Sequence, residues 1–153
     1  MGIIVQKFGG SSVADTEKLF NVCRHIRREL NEKNEVVVVV SAQGKTTDKL
    51  IKEKNEITDL PSKREYDVLV STGEQITTAK LCMCLEKLGI ESVSLTGWQV
   101  PIITDSNYGD AKIKFIGNER IKKELTTGKV VVVAGFQGID EQNNITTLRK
   151  RWI

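Results

Sequence analysis

A chain of 153 residues is the usual size of one domain and is long enough to bury a core. Its 39% apolar and 28% charged residues are ordinary for a globular protein, and 5% aromatics argue against a base-stacking nucleic-acid surface. No apolar run is long enough to cross a bilayer, Met1 opens no signal-peptide pattern, and the net charge of +3 resides in Arg149, Lys150 and Arg151, which gives no ground for a nucleic-acid partner.

Ile3 to Phe8 is an apolar, β-branched run that reads as a buried strand. It carries Lys7 near its end and empties into Gly9, Gly10, Ser11 and Ser12. The glycines permit a tight turn and close approach of a bound group to the backbone. An amphipathic helix begins a few residues later, with Leu19, Val22, Cys23, Ile26 and Leu30 on one face between Asp15 and Lys33. A strand, a glycine turn and a helix N-terminus together make a phosphate site; an ordinary βα turn is the alternative. His25 stands among arginines without a partner pattern and reads as a surface histidine.

Val36 to Val40 is the sequence of a parallel strand covered on both faces. It delivers Ser41-Ala42-Gln43-Gly44-Lys45-Thr46-Thr47, whose Gly-Lys-Thr imitates a Walker A ending. That loop needs a glycine at position 39, which is a valine, so the P-loop reading fails. Thr47 to Asp59 reads as a short surface helix or irregular segment, with Thr47 a candidate helix cap. Pro61-Ser62 restarts a helix, and the apolar stretch to Val70 leads into Ser71-Thr72-Gly73-Glu74-Gln75. On spacing alone, Glu74 is a first-turn carboxylate suited to a helix dipole. The helix from Gln75 to Leu88 closes at Gly89. Cys82 and Cys84 lie about 200° apart on it, too far around to share a metal, and read as buried thiols. Three cysteines in helix-like sequence fit a reduced, cytoplasmic protein. Ser92 to Leu95 reads as a strand before Thr96-Gly97-Trp98-Gln99, Ile113 to Ile116 as a short strand, and Glu119 to Leu125 as a helix closed by Gly128. Val130 to Ala134 is a further buried strand, followed by Gly135-Phe136-Gln137-Gly138, a turn at Asp140 to Asn144, and Ile145-Thr146-Thr147-Leu148. Strands alternating with helices predict an α/β sandwich with a mainly parallel sheet.

The motifs K-F-G-G-S-S-V-A-D, V-V-S-A-Q-G-K-T-T-D, S-T-G-E-Q, S-L-T-G-W-Q and G-F-Q-G resemble, in the same order, those of the aspartate kinases, with Ser11 where threonine is usual. The resemblance implies a three-layer αβα sandwich of the amino-acid kinase (carbamate kinase-like) fold, of which residues 1–148 form the N-terminal, substrate-side half. It implies transfer of the γ-phosphoryl of ATP, with Mg²⁺, to the β-carboxylate of L-aspartate in lysine, threonine and methionine biosynthesis. Lys7 would neutralise the phosphoryl in transfer as the catalytic cation. Lys7, Phe8, Gly9, Gly10 and Ser41 would contact the nucleotide, Thr47 and Glu74 would grip the amino acid, and no residue would serve as a protein metal ligand. The G-F-Q-G loop would pack beside the substrate. Action on glutamate or a nucleotide is disfavoured by the combined motifs.

The resemblance stops at Leu148. Relatives continue G-R-G-G-S-D-T and then a nucleotide-binding half, whereas this chain reads Arg149-Lys150-Arg151-Trp152-Ile153. With suitable codons, one inserted base ahead of that motif reads Arg-Lys-Arg-Trp-Ile and then a stop, so a frameshift-derived tail over 149–153 is the expectation. A non-catalytic remnant or weak ligand-binding fragment is the second functional reading. Half of such a sheet leaves an edge strand and an apolar face, from which self-association or a homo-oligomer is expected.

Overall fold

A computed structural model describes residues 1–149. The expected tail therefore lies outside the described residues except for Arg149. Two four-stranded sheets organise the chain. The first, in the order β1 (Ile3–Phe8), β2 (Glu35–Val40), β6 (Val130–Ala134), β3 (Ser92–Leu95), is parallel throughout. The second, β5 (Ile113–Ile116), β4 (Ile102–Thr104), β7 (Gln137–Ile139), β8 (Ile145–Thr147), is mixed.

The valine runs explain the first sheet. Successive side chains point to opposite faces, so a strand of consecutive valines serves two cores. Val36, Val38, Val40, Val130 and Val132 pack with Leu19, Val22, Cys23 and Ile26 of α1 (Thr16–Asn31) and with Leu81, Cys82, Cys84 and Leu85 of α4 (Thr72–Lys87). On the other face Val37, Val131 and Val133 pack with Leu95, Val100 and Leu125, the last from α5 (Glu119–Thr126). Helices thus lie on both faces of the sheet, the three-layer arrangement expected.

The first strand departs from the expectation of burial. β1 hydrogen-bonds to β2 alone and lies at the sheet edge, with Ile3 51% and Val5 65% exposed. α1 covers the face of Phe8, but no described element covers the face of Ile3, Val5 and Lys7.

Local signals set the helix ends. The Asp15 side chain accepts from Lys18 N at 2.9 Å and caps α1. Residues 46–57 form a complete helix, α2 (Thr46–Ile57), without a side-chain cap, so Thr47 is not a capping residue. Tyr66 to Val70 continue α3 (Lys63–Val70), which Ser62 caps at Glu65 N. Lys33, Gly89 and Gly128, at positive φ, close α1, α4 and α5.

Candidate active site

Parallel strands all end on one side, and ligands of open α/β sheets bind beyond those carboxyl ends. Here β1, β2 and β6 deliver Gly9-Gly10, Ser41-Ala42 and Gly135-Phe136 to a common edge. A cavity of about 570 Å³ opens there, lined by Lys7, Gly10, Ser41, Thr47 and Glu74 together with Ala42, Gly44, Asp48, Gly135, Phe136, Leu148 and Arg149. Five residues picked from separate motifs therefore converge on one cavity. Gly9 and Phe8 are outside that lining. Phe8 follows the strand alternation to the other face, where it packs against the core and meets the His25 ring, centroids 6.1 Å apart.

The Gly-Gly turn differs in kind from a helix dipole aimed at a ligand. Gly10–Val13 form a single 3₁₀ turn, and the N-terminus of α1 lies beyond it under its own Asp15 cap. Gly10 is required for packing: a Cβ there would lie 2.9 Å from the Ala42 carbonyl oxygen. The β1 and β2 loops are cross-linked at this point, with Gly44 N donating to Gly10 O at 3.0 Å and Ser41 N to Phe8 O at 3.2 Å. Around Gly9 a Cβ would meet nothing within 4 Å, leaving that backbone open.

Glu74 sits in the first turn of α4, only 3% exposed, and its Oε1 accepts from Ala42 N at 3.3 Å. A buried carboxylate in a cavity wall is expensive unless hydrogen bonds and charge compensate it. Gly73 lets α4 approach this closely, since a Cβ there would fall 2.7 Å from the Ala42 Cβ. Lys7 projects from the exposed face of β1, and Arg149 Nε lies 3.6 Å from Asp110 Oδ1. The cavity thus offers two cations, the hydroxyl residues Ser41 and Thr47, and the carboxylates of Asp48 and Glu74. Such a set suits a ligand carrying both negative and positive charge. Among the described residues no cluster of three His, Cys, Asp or Glu side chains is placed to hold a metal ion.

Sequence reasoning missed the residues that hold these loops. Gln43 donates to Val13 O at 2.8 Å and accepts from Lys80 Nζ at 2.9 Å, tying the β2 loop to the 3₁₀ turn and to α4. Gln137, fully buried, accepts from Gly97 N at 2.9 Å and donates to Ser71 O at 2.7 Å, joining the G-F-Q-G, T-G-W-Q and S-T-G-E segments. Phe136 in the cavity wall has φ +69, a left-handed conformation uncommon for an aromatic residue.

The comparisons with known proteins decide the family. The model of the amino acid kinase family matches residues 2–150. The chain belongs to the amino acid kinase family. Over 148 residues it is 53% identical to an aspartokinase of Bacillus sp. (strain MGA3) and 49% identical to aspartokinase 2 of Bacillus subtilis, covering 97% of this chain and 36% of each relative. The chain thus spans about a third of the length of the curated relatives it matches. Its structure is similar to that of aspartate kinase from Synechocystis, with a TM-score of 0.81 and 41% identity over 98% of this chain and 24% of the other. Escherichia coli aspartokinase III, solved in complex with aspartate and ADP, shares the fold at a TM-score of 0.82 and 21% identity, covering 95% of this chain and 43% of that one.

Proposed function

We propose that residues 1–148 form the acceptor-side half of an aspartate kinase, which in a polypeptide of the relatives' full length transfers the γ-phosphoryl of ATP to the β-carboxylate of L-aspartate. The observation that carries this reading is the convergence of Lys7, Ser41, Thr47 and Glu74 on one cavity at the sheet's carboxyl edge. An amino acid with a second carboxylate presents an ammonium and two anionic groups. Glu74 would meet the ammonium, with Thr47 in the same cavity lining, and Lys7 would neutralise charge on the moving phosphoryl. Gly10 and Ser41 line the cavity and would border the space for nucleotide phosphates. The protein's contribution is positioning and charge neutralisation, which is most of what phosphoryl transfer requires.

Mg²⁺ would enter with the nucleotide. It commonly binds through substrate phosphates and one or two carboxylates, and Asp48 is the exposed carboxylate on the cavity wall. The lysine-biosynthetic role and cytoplasmic setting belong to the same reading; among the described residues no helix is long and apolar enough to cross a membrane.

Titration of the isotope-labelled chain with L-aspartate tests the acceptor half directly. Saturable shifts centred on Thr47, Glu74 and Ser41, absent with L-glutamate, are expected. Equal response to both amino acids, or shifts confined to other surfaces, would remove aspartate as the acceptor. The partner reading is self-association through the uncovered face of β1. Sedimentation should show concentration-dependent association that Val5→Lys weakens, because Val5 is 65% exposed on the edge strand. A monomer at all concentrations would refute that part.

A further inference from the structure

Asp67 is a buried carboxylate for which the proposed chemistry has no use. It lies on α3 and is fully buried. Its Oδ2 accepts from Thr147 N at 2.8 Å and Gly109 N at 2.9 Å, and its Oδ1 accepts from the Thr147 hydroxyl at 2.8 Å. All three donors belong to the second sheet or the loop beside it. Two come from the residue that ends β8, immediately before Leu148 and Arg149 in the cavity wall. From there Leu148 N donates to Phe136 O at 2.8 Å, while Ala111 N donates to Thr147 O at 3.0 Å. The wall of the cavity is therefore referenced, through Thr147, to one carboxylate on a helix that does not itself line it.

A second buried carboxylate provides the contrast. Asp140 accepts from Ser106 Oγ at 2.9 Å, Tyr108 Oη at 3.0 Å, Gln142 N at 3.0 Å and Asn144 N at 2.8 Å. It is at least as well bonded, but it sits at the turn of the β7–β8 hairpin. The pairing Gln137↔Thr147 against Ile139↔Ile145 puts that turn at the end away from the cavity.

We propose that Asp67 is a positioning residue for the candidate site: by fixing Thr147 it sets where Leu148 and Arg149 meet the acceptor cavity. The proposal rests on reading that cavity as the L-aspartate site. Asp67→Ala strands the two buried donors of Thr147 and removes the acceptor of Gly109 N, whereas Asp67→Asn keeps a carbonyl oxygen for the two N–H groups and an amide that can donate to the Thr147 hydroxyl oxygen.

The test compares Asp67→Ala, Asp67→Asn, Thr147→Val and Asp140→Ala in the full chain, reading thermal midpoint, amide exchange and L-aspartate affinity. Asp67→Ala should speed exchange at the Leu148 amide and weaken L-aspartate binding, each by about tenfold or more. Asp67→Asn should restore both to within about threefold, and Thr147→Val should show the same changes at smaller size should Asp67→Ala not fold. Asp140→Ala should lower the midpoint while leaving affinity within about threefold. Losses of affinity that track the midpoint equally in the two aspartate series would overturn the proposal. So would unchanged Leu148 exchange in Asp67→Ala, or in Thr147→Val where only that variant folds. If the unsubstituted chain takes up no L-aspartate but Leu148 responds as expected, the acceptor reading fails while the placement of the wall by Asp67 stands.

Discussion

Replacing Gln137 should cost more than any other single polar substitution in the loops around the cavity. Its side chain fills a fully buried position and makes two hydrogen bonds to backbone groups from different segments. Gln137→Leu is one bond shorter but no smaller in volume, so little cavity energy enters. Its effect is to strand the buried Gly97 N–H and to remove one donor from Ser71 O, about 2–4 kcal/mol together. For a chain of this size that corresponds to a fall in melting temperature of about 6–12 °C, measurable by circular dichroism. Gln137→Glu adds a sharper test. The carboxylate still accepts from Gly97 N, but it faces the Ser71 carbonyl with a lone pair where the amide had a proton. Its folded pKa must therefore lie above the ordinary glutamate value of about 4.3. A group raised on folding gives its stability below the unfolded pKa and loses it as pH rises through the folded one. The deficit of Gln137→Glu relative to Gln137→Leu should accordingly be largest at neutral pH and shrink as the pH falls toward about 4. A shift below about 2 °C for Gln137→Leu, or a pH-independent gap between the two variants, would refute the assignment of these bonds.

Two further outcomes concern titration and reactivity. Burial raises the thiols of Cys23, to about 12, and of Cys82 and Cys84, so none should react with a disulfide reagent at pH 8 in the folded chain. All three should react in denaturant, and rapid labelling without denaturant would contradict their packing between α1 and α4. Hydrogen bonds from Arg120 and Lys129 hold Glu124 below its ordinary 4.5. At Asp140 burial pushes upward, but donors from Asn144, Ser106, Tyr108 and Gln142 together hold it below 3.8. Folded values that are depressed give stability present above the unfolded pKa and lost as pH falls through the folded one. The melting temperature should therefore drop on acidification below about pH 4.5, and Asp140→Asn should flatten the lower part of that slope; an unchanged slope would be contrary.

What could be read from the sequence divides along physical lines. The first sheet was legible because Val36–Val40 and Val130–Ala134 fit only strands covered on both faces. That β1 is an edge was not legible, since an apolar run does not reveal how many of its faces find a neighbour. Most of the second sheet escaped notice: β4, β7 and β8 have three residues each, are rich in threonine and glycine, and exist through long-range pairing. In the site, Lys7, Ser41, Thr47 and Glu74 were named through the motifs shared with the aspartate kinases; spacing alone made Glu74 a first-turn carboxylate and Thr47 a candidate cap. Asp67 and Gln137 carry no local pattern, because a polar residue becomes a clamp only once tertiary packing has buried it. Phe8 neighbours Lys7 in sequence, but its side chain faces the opposite side of the strand and packs against the core.

The most direct test of phosphoryl transfer at this cavity joins residues 1–148 to the remaining portion of the Geobacillus stearothermophilus aspartokinase, which is 51% identical over the matched 148 residues. With Mg-ATP and L-aspartate, this chimaera should form an acyl phosphate trapped by hydroxylamine. Lys7→Ala should lower kcat by about two to three orders of magnitude, while Glu74→Ala should chiefly raise KM for L-aspartate. A folded chimaera that forms no hydroxamate, or one whose kcat is unchanged by Lys7→Ala, would contradict the account.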